Sequence, residues 1–330
     1  MTYTIRQATS EDVRPALVFT LSVFMRFDAM YYEPQAIDSF KDDIARTMND
    51  ETYLKDIING KSLLFIALDG DKIIGVIGNM VKENEISALF VDGDYHRQGI
   101  ATALMNRMVC ELKLRGFDYI TVDASPYGLP FYIDFGFTPT DFEKRQNGFV
   151  FTPLAYRPNE IWDVYDCDRN KTGRYAERGR PMATGDYHIV VHVWKRNRKG
   201  EWLIDKRADR GSDIDGFWET TGGAAIAGDD SMTAALRETK EELGICLAPQ
   251  NGVLFCSTAH ERGGHTWFED VWVFDCDVQI EEITLQKGET CDAMWASADK
   301  IKEMMAAGEF LGNRMYPYFD DMIEKWKISK

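Results

Sequence analysis

Tryptophan is missing from the first 160 residues of this 330-residue chain; all eight, Trp162 to Trp326, come later. The six cysteines (Cys110, Cys167, Cys246, Cys256, Cys276 and Cys291) include no CxxC pair. That spacing excludes the usual zinc frames and argues against a disulfide scaffold, so reduced thiols in a cytoplasmic protein are expected. No run of about 18 apolar residues is present, so no membrane span is expected. The opening MTYTIRQATSEDV has no basic-then-apolar pattern of a secretory signal. Basic charge is scarce: 38 Lys and Arg stand against 54 Asp and Glu, a formal net charge of −16. Such a surface repels polyanions and excludes generic binding to nucleic acid or to an anionic membrane.

What is present is ordinary globular material, 45% hydrophobic and 28% charged. At roughly 100–200 residues per domain, the length suggests two domains. The tryptophan imbalance and the polar, Gly-bearing stretch 155–186 place the boundary near residue 156, giving units 1–156 and 157–330.

The first unit reads as a mixed α+β pattern around one sheet. A strand at 3–7 leads to a helix that Ser10 would cap, with Glu11 and Asp12 in its first turn. Helices are expected within 34–59, strands at 62–68 and 72–80 around an Asp-Gly-Asp turn, and a strand at 85–91. A helix over 100–115 follows, with Ala101, Leu104, Met105, Met108 and Leu112 on one face. Strands near 119–123 and 149–154 close the unit. The second unit begins with a hairpin around 168–173 and a strand at 188–194. Strands at 201–207, 254–259 and 266–275 follow, with helices at 298–306 and 315–326.

The most informative stretch is 222–245. Asp230 or Ser231 can cap a helix that Gly244 ends. Within it Glu238, Glu241 and Glu242 are related as i, i+3, i+4, which sets three carboxylates on one face. Left alone they repel one another; a hard divalent cation reverses the sign of that interaction. Two adjacent glutamates alone are more commonly a solvated face. The full spacing, Gly223, Arg237, Glu238, Glu241, Glu242, Gly244 and Ile245, resembles the box of the Nudix hydrolases. Asp229 stands where that family has Glu, and Thr239 where an aliphatic residue is usual.

The resemblance spans about residue 160 to the C-terminus. It implies Mg²⁺ or Mn²⁺ held by Gly223, Glu238, Glu241 and Glu242, with the three glutamates also catalytic. A bound water would then split a nucleoside diphosphate linked to some group X. Glu289 occupies the place of a further ligand or base, an exposed loop glutamate being the alternative. An isopentenyl-diphosphate isomerase reading is disfavoured, because Gly222 and Ala224 stand where that branch has its Cys and metal-binding His. His188 and His192 can share a strand face, which packing alone would explain. Trp218, Trp267, Phe268 and Trp272 could stack on a base or belong to the core.

The first unit has its own anion signature. The expected strand ending at Val91 feeds a polar loop, His96-Arg97-Gln98-Gly99-Ile100-Ala101, that opens a helix. Unpaired N–H groups and the helix dipole make such a terminus an anion site, here compatible with a pyrophosphate. His96, Gly99 and Ala101 resemble the motif of the GNAT-type N-acetyltransferases, with His96 departing from the usual Gln or Arg. The downstream 124–137 segment resembles that family's second cofactor-side element.

Over residues 3–154 the resemblance implies acetyl-CoA bound by Leu89, Phe90, Val91, Arg97, Gln98, Gly99, Ile100, Ala101 and Thr102. Tyr132 would be the general acid, or else a core tyrosine. Glu85 is a candidate base, or else a surface strand residue.

The expectation is therefore an α+β two-domain chain, an N-terminal GNAT-like mixed sheet with flanking helices and a C-terminal Nudix α/β/α sandwich. It would be a bifunctional cytoplasmic enzyme. Its partners would be a nucleotide or diphosphate substrate, acetyl-CoA and a small amine or peptide amine acceptor, without nucleic acid or membrane. The alternative keeps the Nudix hydrolase and makes the first domain a non-catalytic acyl-CoA-binding regulator.

Overall fold

The computed structural model describes residues 3–79, 82–312 and 314–327. Met80, the end of one expected strand, lies outside them. The chain forms two compact units. The first comprises Met1–Ile161 with Tyr175–Gly179, and the second Trp162–Arg174 with Arg180–Lys330. The hairpin of Ile161–Tyr165 and Lys171–Glu177 carries the chain from one to the other.

In the first unit, Thr4–Gln7, Leu64–Asp69, Lys72–Gly78 and Ala88–Val91 form an antiparallel sheet in that order. Its central strands are apolar on both faces because helices cover both. Ile66 and Val76 pack with Leu17, Ile44 and Ile57 on one side. Phe65 and Ile77 pack with Leu104 and Met108 of the helix Ile100–Leu114 on the other. The helix comes so close that a Cβ on Gly75 would lie 2.9 Å from Leu104. The first helix, Ser10–Phe27, is capped by Thr9 rather than by the expected Ser10. Asp12 accepts from the Thr9 N–H at 2.7 Å, and the box uses the residue whose N3 partner is acidic.

The strand expected at 85–91 is broken. Glu85–Ile86 pairs in parallel with Ile120–Ala124, in a second sheet completed by Phe149–Tyr156 and Thr138–Pro139. At Ser87 the N–H turns to Gly78 O at 2.9 Å, and Ala88–Val91 pairs with Lys72–Gly78 instead. Beyond Ser87 the two sheets therefore part.

The second unit is an α/β/α sandwich. Its sheet runs Trp218–Glu219, Trp202–Arg207, His188–Arg196, His265–Asp275, Gly252–Arg262, with Thr221–Ala224 and Thr290–Ala296 as added strands. Alternation along His188–Arg196 sorts the layers. Ile189, Val191 and Val193 pack on Ala234 and Ala235 of the helix Ser231–Leu243. Trp194 faces the opposite side, with Ile301, Met304, Phe319 and Met322 from Ala298–Ala307 and Phe319–Lys325. The last helix starts at Phe319 and not at 315, since Pro317 disfavours a helical Tyr316. No helix among the described residues is long and apolar enough to cross a membrane.

Candidate functional site

Asp230 caps the helix Ser231–Leu243 by accepting from Thr233 N–H at 2.7 Å, and Gly244 ends it in the left-handed region at φ +70°. Strand Thr221–Ala224 brings Gly223 against the helix. A Cβ there would lie 2.2 Å from the Glu238 carboxyl, so any side chain at 223 would push that carboxyl from its place. Arg237 organises the acids. Its guanidinium donates to Asp229 at 2.9 Å, Glu238 at 2.9 Å, Glu241 at 3.0 Å and the Ala224 carbonyl at 2.9 Å. Asp229, though shorter than the expected Glu, thus reaches the arginine directly. Thr239 is fully buried, its hydroxyl donating to Ala235 O at 2.8 Å.

The three glutamates are not equivalent. Glu241 is half exposed, with the Arg237 guanidinium between it and Glu238. Glu242 is partly buried, and its Oε2 is inaccessible to water and has no hydrogen-bond partner. Burial, then Asp205, Glu238 and Glu219, push its carboxyl well above the usual range, against the pull of Lys195. Among the described residues no three His, Cys, Asp or Glu side chains converge as a ready metal cluster. The donor set nevertheless suits a hard divalent cation. It is all oxygen, includes one orphaned buried carboxylate atom, and stands on a glycine cradle.

Sequence reasoning missed the base of this site. Lys195 is wholly buried and donates to Thr221 Oγ1 at 2.6 Å, which donates to Asp205 Oδ1 at 3.0 Å. Burial lowers the lysine and raises the aspartate. Lys195 continues the inward-facing positions Ile189, Val191 and Val193, and a lysine at that step was the available signal. Glu219, held by Arg207 at 2.7 Å, is raised to about 7, mainly by burial and Asp205. Glu289 pairs with Arg210 at 3.4 Å. Its loop is fixed to the helix end by Gln286 N–H to Glu242 O, 2.9 Å.

The remaining candidates have structural partners. His188 stacks on Trp162 with centroids 4.2 Å apart, and His192 shares a 2.7 Å hydrogen bond with the Tyr318 hydroxyl. Trp272 donates to Ser231 Oγ at 2.8 Å, Phe268 stacks on Tyr187, and Trp267 stacks on His260. The Lys206 ammonium lies 5.8 Å from the Trp218 ring centroid.

In the first unit, the parting of the sheets opens a cavity of about 180 Å³ between Ala88–Val91 and the end of Ile120–Ala124. Leu89, Phe90, Val91, His96 and Tyr132 line it. His96 turns its ring inward, Nε2 lying 2.9 Å from Val91 O. Arg97 and Gly99 are both left-handed, at φ +62° and +80°. They aim the chain into the helix, whose N-cap Gly99 offers no side chain to the first N–H groups. Ile100 is buried, Ala101 and Thr102 continue the first turn, and Gln98 folds back to Asp94 O at 3.2 Å. Burial, then Asp28, raises the Tyr132 phenol far above its usual value, so it stays protonated. Glu85 pairs with Lys82 at 2.7 Å and does not line the cavity. The carboxylates that do are Asp28 and Asp123.

Comparison with known proteins agrees with both halves. An Acetyltransferase (GNAT) domain family matches residues 29–158, and a NUDIX domain family matches residues 186–318. An uncharacterized Nudix hydrolase of Listeria monocytogenes is 35% identical over 161 residues, 48% of this chain and 90% of that protein. An uncharacterized N-acetyltransferase of Escherichia coli, YafP, is 30% identical over 144 residues, 42% of this chain and 87% of that protein. A crystal structure of the PaiA N-acetyltransferase from Thermoplasma acidophilum in complex with coenzyme A superposes with a TM-score of 0.40 at 20% identity. It covers 48% of this chain and 99% of that one. Each relative spans one half of this chain and most of itself, and so the chain belongs to two enzyme families, the GNAT acetyltransferases through its N-terminal half and the Nudix hydrolases through its C-terminal half.

Proposed function

We propose that residues 157–330 form a Mg²⁺-dependent hydrolase of a nucleoside diphosphate linked to a group X, and residues 1–156 an acetyl-CoA-dependent N-acetyltransferase, in one cytoplasmic chain. For the hydrolase, the observation that carries the reading is the Glu238 carboxylate against Gly223 beside the orphaned Glu242 oxygen. Glu238, Glu242 and the Gly223 carbonyl would hold the cation, with Glu241 at its open side. A divalent cation there neutralises diphosphate charge and lowers the pKa of a water. Arg237 fixes the rotamers of Glu238 and Glu241, and Glu241, the most exposed, positions the attacking water. Glu289, paired with Arg210, would supply a further carboxylate from its loop. Gly222 and Ala224 provide neither thiol nor imidazole, which favours hydrolysis over isomerisation. The test is a phosphate-release screen over nucleoside di- and triphosphates, ADP-ribose, dinucleoside polyphosphates and CoA. One class is expected to turn over with Mg²⁺ and to stop with a chelator; no turnover of any class would remove the assignment.

For the transferase, the carrying observation is the gap where Ala88–Val91 leaves the second sheet. Backbone groups of Leu89–Val91 would bind the pantetheine arm, and N–H groups from Arg97 to Thr102 the pyrophosphate. Tyr132 would protonate the leaving thiolate. Gly99→Val tests the loop. A Cβ at 99 meets nothing within 4 Å, so the effect comes from the left-handed backbone. A β-branched residue there costs about 1–2 kcal/mol or more, and the loop relaxes by losing its shape. Acetyl-CoA affinity by calorimetry is expected to fall at least about tenfold; unchanged affinity would rule the loop out.

A further inference from the structure

We propose that the acceptor of the first unit is a small primary ammonium with an apolar body, and that Asp28 anchors this ammonium and takes its proton. The inference rests on the acetyltransferase reading and names its second substrate.

Asp28 closes the helix Ser10–Phe27 and is only 7% exposed, yet its side chain lines the cavity between the parted sheets. Its Oδ1 accepts from Ser125 Oγ at 2.5 Å, and Ser125 Oγ accepts from Gly128 N–H at 3.0 Å. Ser125 follows directly on Ile120–Ala124, across the gap from Ala88–Val91. The carboxylate therefore sits beside the place where the acyl group would emerge, with Tyr132 in the same cavity.

Among the described residues no lysine or arginine lines this cavity. The other titratable groups facing it are Asp123, His96, Tyr32, Tyr127 and Tyr132, and His96 is engaged with Val91 O. A buried carboxylate without a countercharge is costly, and a single serine hydroxyl compensates little of it. Burial accordingly raises the Asp28 carboxyl above its usual value. A cationic ligand supplies the missing partner.

The walls suit the same ligand. Phe24 stacks on Phe40 with centroids 3.9 Å apart and on Tyr32 at 5.7 Å, and Tyr32 meets Phe149 edge-on at 5.2 Å. All four rings line the cavity. Aromatic faces around one carboxylate attract an ammonium by its charge and hold its hydrocarbon body by burial. An isosteric alcohol would leave Asp28 without a countercharge, so the site discriminates through the unpaired group and not through shape. At about 180 Å³ the space takes a small molecule more readily than a chain end.

The chemistry balances. Asp28 accepts one proton from the ammonium, leaving a neutral amine whose lone pair attacks the thioester carbonyl carbon. A C–N bond forms and the C–S bond breaks. Tyr132 delivers a proton to the leaving sulfur and recovers one from the amide nitrogen, and Asp28 returns its proton to solvent. The products are the acetamide, free thiol and one proton.

The test uses the full-length protein with acetyl-CoA, 2-phenylethylamine and 2-phenylethanol. Thiol release is expected with the amine and not with the alcohol. By calorimetry with CoA present, the amine is expected to bind at least about tenfold more tightly than the alcohol. Asp28→Asn is expected to raise KM and lower kcat/KM for the amine by on the order of 10²-fold, with acetyl-CoA affinity unchanged. The wild-type comparison of amine with alcohol needs no variant and decides the matter even if that substitution misfolds. Acetyl-CoA binding with equal affinity for amine and alcohol, with no phenylethylamine turnover, or with preferred acetylation of a peptide N-terminus overturns the inference and leaves the acetyltransferase reading in place. Failure to bind acetyl-CoA overturns both.

Discussion

Glu242→Gln is expected to lower the kcat of diphosphate hydrolysis by on the order of 10²–10³-fold without lowering the thermal stability of the metal-free protein. The two effects separate because of where this carboxylate sits. Its Oε2 makes no hydrogen bond, and Asp205, Glu238 and Glu219 all disfavour its charge. Glutamine keeps the shape and removes the repulsion, so the metal-free fold loses nothing. What it removes is an anionic oxygen for the cation. The wild type should gain thermal stability on adding Mg²⁺, because a ligand that binds only the folded state stabilises it. The variant should lose most of that gain. Glu241→Gln should show the same fall in rate with a smaller effect on the Mg²⁺ increment, as its side chain is half exposed and shared with Arg237. Full hydrolysis by both variants would sink the metal assignment.

Lys195→Met is expected to destabilise the second unit by about 3–5 kcal/mol. Lys195 and Asp205 are both essentially inaccessible to water, and Thr221 links them. Removing the cation leaves an unpaired carboxylate beside Glu242 and Glu219. The melting transition of this unit should fall by roughly 10 °C. The double variant Lys195→Met with Asp205→Asn should recover part of the loss, since the stranded charge goes as well. A fall of under about 1 kcal/mol in the single variant, measured by urea unfolding, would show that the pair does not support this site.

The two sites differ in how much of them the chain displays as text. The box was legible because its chemistry is local: carboxylates three and four apart share a helix face whatever else the fold does, and the glycine and arginine act within one strand–helix unit. Lys195 and Asp205 were not read, because strand pairing brings them together and neither position carries a motif. The anion loop was legible through Gly99 for the same local reason. Asp28 was not, because its role depends on Ser125, 97 residues further on. Glu85 was the visible acid on the relevant strand, but that strand changes sheets at Ser87 and leaves Glu85 with Lys82. The last helix was overestimated because its apolar spacing continues through residues where Pro317 prevents helical backbone.

The hairpin between the units bears on how such a chain is made. Residues 162–174 belong to the second unit, yet Tyr175–Gly179 returns to the first. There Glu177, 3% exposed, accepts from the Tyr156 hydroxyl at 2.7 Å and the Asn159 N–H at 2.7 Å. During synthesis the N-terminal half therefore cannot complete itself when its last sheet strand emerges. It must wait until part of its neighbour has already left the ribosome. A gene fusion joined by a free linker would have no such dependence. Here the chain enters the second unit and returns before leaving the first for good, and a truncation at residue 156 would release an acetyltransferase half missing ten of its own residues, 157–161 and 175–179.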